Sequence, residues 1–265
     1  MVSVIVAVKN ASATLQRCID SVVGQTWPGK ELIVCDGASS DGTRAIIERN
    51  QANLAYWCSQ RDHGIYDAWN KGLSHAHGDW VCFLGADDFF WSPTVLASAM
   101  AQAGKVYPHE RVIYGRVALL TPDGTFLRYL GKPWGKAKEQ LMQINSLPHP
   151  GLLCHRSVFQ EHGIFDISYR ISGDYEFLLR ELKSGDAHFM EDVITVGMQT
   201  GGISSRTNWI RLALKEIRRA QKKHGFRYPG PLWIAAYLRA LVRSAIAGII
   251  GEEKTDKVID VLRRF

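Results

Sequence analysis

"SVIVAVKNASATLQRCIDSVVGQTWPGKELIVCD", residues 3–36, holds two kinds of apolar pattern, and their alternation decides the fold class. "SVIVAV" (3–8) is a β-branched, uncharged run of buried-strand length. Leu15, Cys18, Ile19, Val22 and Val23 then recur at helical spacing, with Ser12 as the expected N-cap. "ELIVCD" (31–36) is a second short apolar strand. Strand, helix and strand joined by short turns imply parallel pairing, a right-handed crossover and a sheet covered on both faces.

The pattern repeats outward. "SSDGTRAIIERN" (39–50) predicts a second helix with Asp41 as a candidate cap, "LAYWCS" (54–59) a third strand and "IYDAWNKGLSHA" (65–76) a third helix. "WVCFL" (80–84) is the fourth strand, and Ser92-Pro93 predicts an N-cap followed by proline at the first helical position. Past about residue 105 the order changes. "RVIYGRVALL" and "TFLRYLG" flank "TPDG" as an antiparallel hairpin. A Pro- and His-bearing segment, "NSLPHPGLLCHRSVF", precedes a helix over 174–184, and "HFMEDVITVGM" predicts one or two late strands. The last 60 residues are helical in pattern. An α/β domain over residues 1–205 with a helical tail over 206–265 is expected.

At 265 residues, 46% hydrophobic and 22% charged, the chain has the composition of a globular protein able to bury a full core. Its five cysteines are scattered without a C-x-x-C pair, so buried free thiols in a reducing compartment are expected. Met1 leads directly into "VSVIVAV", with no basic flank or cleavage site, so no signal peptide is expected. The net charge of +6 is unevenly placed: residues 206–265 carry 14 Lys and Arg against 5 Asp and Glu. The body before them is slightly acidic. A basic tail on such a body implies an anionic surface contacted at one end.

Open α/β sheets bind ligands beyond the carboxyl ends of their strands. Those ends carry Lys9-Asn10, Asp36-Gly37, Asp62-His63-Gly64 and Asp87-Asp88. Each aspartate alone suits a turn. Together they form an acidic rim that asks for a cation or a donor-rich ligand. Asp87 and Asp88 are either a turn that happens to carry acids or oxygen ligands suited to Mg2+ or Mn2+. No G-x-G-x-x-G follows the first strand and no P-loop is present, which disfavours dinucleotide and P-loop chemistry.

"SVIVAVKNASATLQRCIDSVVGQTWPGKELIVCDGASSDGT", "DHGIYDAWNKGLSHAHGDWVCFLGADD" and "ISGDYEFLLR", in that order over roughly residues 2–205, resemble the family 2 glycosyltransferases. The resemblance implies a GT-A fold: a mixed, mainly parallel sheet with helices on both faces. It implies an inverting enzyme that takes a sugar from a nucleotide donor. Asp36 matches the position that contacts the nucleotide base, and Ala7, Lys9 and Asn10 match the nucleoside pocket. The Pro-Thr-Tyr-like residues usual before the asparagine are replaced. Asp62 matches a loop position near the nucleotide. Lys71 and its neighbour Asn70 are either ligand contacts or ordinary helix-surface residues. Asp87 and Asp88 stand at the metal end of D-x-D, whose first acid or amide is Gly85 here, so Asp87 is expected to bind the cation directly with Asp88 in support. Asp174 aligns with the general base or is a first-turn acid favoured by the helix dipole. Arg180 aligns with the arginine that follows it, as a substrate contact or a structural residue. His149 in "PHPG" matches a position near the acceptor or is a packed loop histidine. "GGISS" (201–205) matches a loop that closes over the diphosphate. No Q-x-x-R-W follows, which argues against a processive polymerase.

In the tail, "LWIAAYLRALVRSAIAGIIG" (232–251) carries Arg239 and Arg243 on one face of an apolar helix. Spanning a bilayer would bury both, at about 2.5–3.5 kcal/mol each, whereas an interfacial helix keeps them at the headgroups. Packing on the domain or on a second subunit is the other expectation for this helix. The expected protein is a cytoplasmic, Mn2+- or Mg2+-dependent glycosyltransferase, peripheral on the inner membrane face. It would build a surface polysaccharide on a glycan or lipid-linked saccharide acceptor, with no nucleic-acid partner. A sugar-nucleotide nucleotidyltransferase would need a Gly-rich, basic opening loop that the chain lacks. A non-catalytic basic binder of membrane or nucleic acid is disfavoured because the positive charge avoids the body, and the acidic rim repels phosphates unless metal is present.

Overall fold

The computed structural model describes residues 1–201, 207–251 and 255. The chain begins β1 (Val2–Val8), α1 (Leu15–Val23), β2 (Lys30–Asp36), α2 (Thr43–Arg49), β3 (Tyr56–Ser59), α3 (Ile65–Ser74) and β4 (Trp80–Gly85). It continues through β5 (Phe89–Phe90), α4 (Val95–Val106), the hairpin β6 (Val112–Leu120) and β7 (Phe126–Leu130), then α5 (Trp134–Leu141) and β8 (Leu153–His155). It ends with α6 (Arg156–His162), α7 (Gly173–Leu182), β9 (His188–Gln199), α8 (Thr207–Lys223) and α9 (Pro231–Ile250).

The strands form one mixed sheet in the order β3-β2-β1-β4-β8-β6-β9-β5, with β7 added beside β6. Strands β3, β2, β1 and β4 run parallel, as the strand–helix alternation requires. Strand β8 is antiparallel to both β4 and β6, while β6 and β9 are parallel. The period-two pattern of β1 splits its side chains between two cores. Val2, Val4, Val6 and Val8 pack with Leu15, Ile19, Ile47 and Leu96 from α1, α2 and α4. Ile5 packs on the opposite face, with Trp69 of α3 and Phe177 and Leu179 of α7. All five cysteines are free, and four of them are buried.

Two helix starts differ from expectation. Helix α1 begins at Leu15 behind Thr14 and has no side-chain cap. Ser12 is used elsewhere: its amide donates to Asp41 Oδ2 at 3.0 Å, while Asp41 Oδ1 accepts from Thr43 N at 2.9 Å at the start of α2. These bonds hold the Asp41 carboxyl well below its ordinary range, the Thr43 side chain contributing most. Pro93 lies before the first residue of α4, and the Leu96 amide is taken by the buried Gln25 side chain at 3.0 Å. At α4 a tertiary partner thus supplies what a local serine was expected to supply, whereas at α1 the Ala11 carbonyl takes the Thr14 and Leu15 amides at 3.1 and 3.0 Å. Strand β5 and helix α5 were not legible as elements. Both are short and lack a clean apolar period.

The tail divides by packing. Leu214, Ile217 and Ala220 of α8 belong to the same core as Tyr175 and Leu178 of α7, so packing runs across the 205/206 position. Helix α9 rests on α8, with the Trp233 indole donating to Leu214 O at 2.8 Å. Ala236, Tyr237 and Ala240 continue that contact face. Leu232, Ile234, Leu238, Leu241, Val242 and Ile246 lie on the exposed side.

Candidate active site

Backbone register lines up the carboxyl ends of the parallel strands: Val8 lies beside Asp36, Asp36 beside Ser59, and Ala7 beside Gly85. The strand order reverses between β1 and β4, the position where α/β sheets open a crevice. The side of that crevice on β2 is laced by short polar contacts. Asp36, 2% exposed, accepts from Ser39 N at 3.1 Å, from Ser39 Oγ at 2.5 Å and from Ser59 Oγ at 2.6 Å. Asn10, at a positive φ of 51°, accepts from Ser40 N at 2.9 Å and donates its own amide to Ser39 Oγ. Asp36 thus shapes the 37–40 loop, with most of its hydrogen-bonding capacity used inside the fold.

Lys9 and Asp62 meet here, since the lysine methylenes and the Asp62 carboxylate both close on Gly37. Lys71 is tied to Arg61 O at 3.1 Å and to Asp67 at 3.1 Å. Asn70 clamps Phe165 through both its amide atoms, which makes it a packing residue.

At the end of β4 the two carboxylates converge. A Cβ on Gly85 would sit 2.8 Å from Asp87 Oδ1 and 2.8 Å from Asp88 Oδ2, so both oxygens crowd one point that only glycine leaves open. Any side chain at the first D-x-D position would fill the space the carboxylates occupy. Asp88 is buried and accepts from Gly85 N at 3.0 Å; burial first, then the charge of Asp87, pushes its carboxyl up to about 8. Asp87 is half-buried. Its carbonyl accepts from Arg17 Nη2 at 2.9 Å, and that guanidinium stands 4.3 Å above the Phe89 ring. Arg17 was missed from sequence because it lies on the exposed face of α1, 70 residues from the aspartate it contacts.

The donor set fits a divalent cation. Two carboxylate oxygens from adjacent residues close on one point, and burial with the Asp87 charge makes the Asp88 carboxyl resist ionisation there, so a cation between them would favour its charged form. Among the described residues no group of three or more His, Cys, Asp and Glu side chains could hold a metal ion. A hard cation held by Asp87 and Asp88 would therefore take its remaining oxygens from phosphate and water, as Mg2+-type sites commonly do.

The opposite wall is built around Asp174, in the first turn of α7. Tyr66 of α3 brings its hydroxyl 3.1 Å from Asp174 Oδ1 and 2.7 Å from Ile171 O. Gly173 is required by this contact, because a Cβ there would lie 2.8 Å from the Tyr66 ring. Asn145 Nδ2 is 3.5 Å from Asp174 Oδ2, while the buried Asn145 Oδ1 and Trp69 Nε1 have no hydrogen-bond partner among the described residues. Asn145 is a site residue that sequence reasoning missed; it sits four residues before His149 in a segment without period. His149 is buried and stacks on Trp69 at 4.9 Å. Burial lowers its pKa, with the Asp174 charge acting the other way. Its ring also lies 5.6 Å from Phe83, two residues before Gly85, which joins this wall to the end of β4.

Arg180 does not join the site. Its guanidinium pairs with the fully buried Glu176 at 2.5 Å and donates to the carbonyls of His162 and Ile164. Nearly two helical turns beyond Asp174, it braces α7 through the 162–164 segment. Of the expected "GGISS" loop, residues 202–205 lie outside the described residues.

The sequence matches the family model described as Glycosyl transferase family 2 over residues 3–151. A PGL/p-HBAD biosynthesis glycosyltransferase of Mycobacterium bovis is 30% identical over 216 residues, 77% of this chain and 79% of that protein. An uncharacterized glycosyltransferase of Mycobacterium tuberculosis is 35% identical over 181 residues, 68% of each. Among solved structures, S. aureus TarS 1–349 in complex with UDP-GlcNAc superposes with a TM-score of 0.61 at 18% identity, covering 81% of this chain and 66% of that one. The mannosyltransferase PcManGT from Pyrobaculum calidifontis, in complex with GDP-Man and Mn2+, gives 0.63 at 16%, covering 98% and 78%.

Proposed function

Because the chain belongs to glycosyl transferase family 2, we propose that it moves one sugar from a UDP-linked donor to a hydroxyl of a glycan or lipid-linked saccharide, with inversion at the anomeric carbon. The observation that carries this is the convergence of Asp87 and Asp88 on Gly85, at the crevice end of β4 beside the Asp174 wall. Asp174 is the general base. Tyr66 fixes one of its oxygens, and the other, beside Asn145, takes the acceptor proton as the acceptor oxygen attacks the anomeric carbon. Attack from the face opposite the diphosphate inverts that carbon.

Lys9, Asn10, Ala7, Asp36 and Asp62 line the nucleoside side, with Lys71 at its margin. Asp36 acts chiefly through the loop it orders. His149, held neutral by burial, faces the acceptor side as an uncharged wall. Asp87, with Asp88 in support, would hold a divalent cation, which when bound would supply positive charge toward the departing diphosphate. The bound ligands of two structural neighbours, UDP-GlcNAc and GDP-Man with Mn2+, support a nucleotide sugar and a cation here. A panel of UDP- and GDP-sugars titrated with and without Mn2+ tests the assignment. One sugar nucleotide is expected to bind about tenfold or more tighter with Mn2+. Failure of every member to bind in either condition would overturn it.

We also propose that residues 206–265 seat the catalytic body of residues 1–205 on the inner face of the membrane, where a lipid-linked acceptor for surface polysaccharide assembly would be met. Pro231–Ile249 is long and apolar enough to cross a bilayer by length and composition, with mean hydropathy 1.4, and only 11% of it is buried. Its contact face on α8 and its two arginines favour lying in the interface over spanning. Flotation should show binding to anionic vesicles, weaker binding to neutral ones and partial release at high salt. Leu238→Asp with Val242→Asp, at side chains 56% and 60% exposed, should weaken binding by about tenfold or more without loss of fold. Absence of the intact protein from both vesicle types would remove the membrane assignment.

A further inference from the structure

We infer that Glu216 of α8 is a positioning residue for Asp174, a role that rests on Asp174 being the base. Three consecutive backbone amides lead into α7, and all three donate to this one carboxylate. Arg170 N reaches Glu216 Oε1 at 2.8 Å, and Ile171 N and Ser172 N reach Oε2 at 2.9 Å each. The carboxylate is only 5% exposed. Amides at the start of a helix need acceptors, and the residue before the first turn ordinarily supplies one from its own side chain. Ser172 occupies that place but makes no side-chain cap, because its hydroxyl donates instead to Ala213 O of α8 at 3.2 Å. Glu216, distant in sequence, instead anchors the Ser172 amide and the two before it, immediately ahead of the first turn. Asp174 follows two residues later.

Glu216 is one point of a longer grip. Ala213, Glu216, Arg219 and Lys223 are three or four apart and form one stripe of α8. Arg219 Nη2 donates to Ser168 Oγ at 3.0 Å, and Lys223 pairs with Asp166 at 3.3 Å and Glu176 at 3.0 Å. The stripe therefore holds residues 166–176 from outside, with the buried carboxylate at its centre. A buried carboxylate is an expensive way to gain stability, since an apolar side chain of similar volume often does as well. What the carboxylate adds is direction: three amides aimed at one group fix the entry of α7, and with it the Asp174 side chain against Tyr66. A displacement of about 1 Å at a reacting group costs about a hundredfold in rate.

The test is Glu216→Gln in the full chain, which keeps the size but turns one acceptor oxygen into a donor facing an amide. Its kcat is expected to fall about 10- to 100-fold, with KM for the sugar nucleotide within about threefold, because the carboxylate-pair end of the site is untouched. Hydrogen exchange at the amides of residues 170–172 should accelerate in the same variant. A kcat within about twofold of the wild type in the folded variant would overturn the role, as would kcat and donor KM shifting together. Should Glu216→Gln fail to fold, Glu216→Asp, which keeps the charge on a shorter arm, decides by the same readouts. Asp174→Asn run in parallel separates the two claims. Turnover retained there overturns the base and this role with it, whereas turnover lost there but kept by the Glu216 variant overturns this role alone.

Discussion

Asp174→Asn is expected to lower kcat by about a thousandfold while leaving sugar-nucleotide binding within about threefold, because general-base catalysis typically contributes 10²–10⁴ and the carboxamide has no basic oxygen. The structure makes this a clean substitution. Asparagine keeps an oxygen where Asp174 Oδ1 meets the Tyr66 hydroxyl at 3.1 Å, and it adds no volume at the close contact of Gly173 with the Tyr66 ring. Steady-state kinetics with calorimetric titration of the nucleotide measures both halves. Near-normal turnover by the folded variant would move the base elsewhere on this wall.

The second large effect concerns the carboxylate pair. Removal of divalent cations by EDTA is expected to abolish transfer, with Mn2+ restoring it. Asp87→Ala should weaken metal-dependent donor binding by more than about a hundredfold, and Asp88→Ala by about 10- to 100-fold, the range of a supporting residue. The ranking follows from what each side chain already does. Asp88 is buried and spends an oxygen on the Gly85 amide, whereas Asp87 is half-buried and its carboxylate accepts no hydrogen bond among the described contacts. Asp88→Ala should in addition cost about 1–3 kcal/mol of stability, because it leaves that amide unpaired. Melting curves and metal-dependent donor titrations on both variants separate the two roles. Full activity in EDTA would defeat the metal assignment, and the reverse order of the variants would exchange the two aspartates.

The outcomes at the helix termini show where local sequence loses its authority. Ser12 and Ser92 carry the right chemistry in the right place for caps, yet α1 and α4 start later. At α1 the Ala11 carbonyl takes the Thr14 and Leu15 amides while Asp41 takes the amide of Ser12 itself, and at α4 Gln25, brought from another element, holds the Leu96 amide. Arg180 is the same lesson at the site. Its place after Asp174 resembles a ligand-binding arginine, but Glu176 four residues back on the same helix is buried, and a buried carboxylate without a cation is the costlier arrangement. Pairing on the helix face therefore claims the guanidinium before any ligand can.

By itself the sequence determined most strands and helices of the body, though not β5, α5, β8 or α6, together with the parallel run from β1 to β4, the hairpin after residue 111, and the acids at the strand ends. These properties are local: apolar period, turn chemistry and strand length are written within a few residues, and register then carries Asp36 and Gly85 to the same edge of the sheet. Only the tertiary structure decided which polar groups face one another across that edge. Arg17 reaches Asp87 over 70 residues, Asn145 reaches Asp174 over 29, and Glu216 reaches Ser172 over 44. A helical stripe such as Ala213, Glu216, Arg219 and Lys223 is visible in sequence as a face, but nothing in its own residues names its partner. Partners are chosen when the sheet and its covering helices close, because a buried polar group must then be paired by whichever donor or acceptor the packing brings within reach.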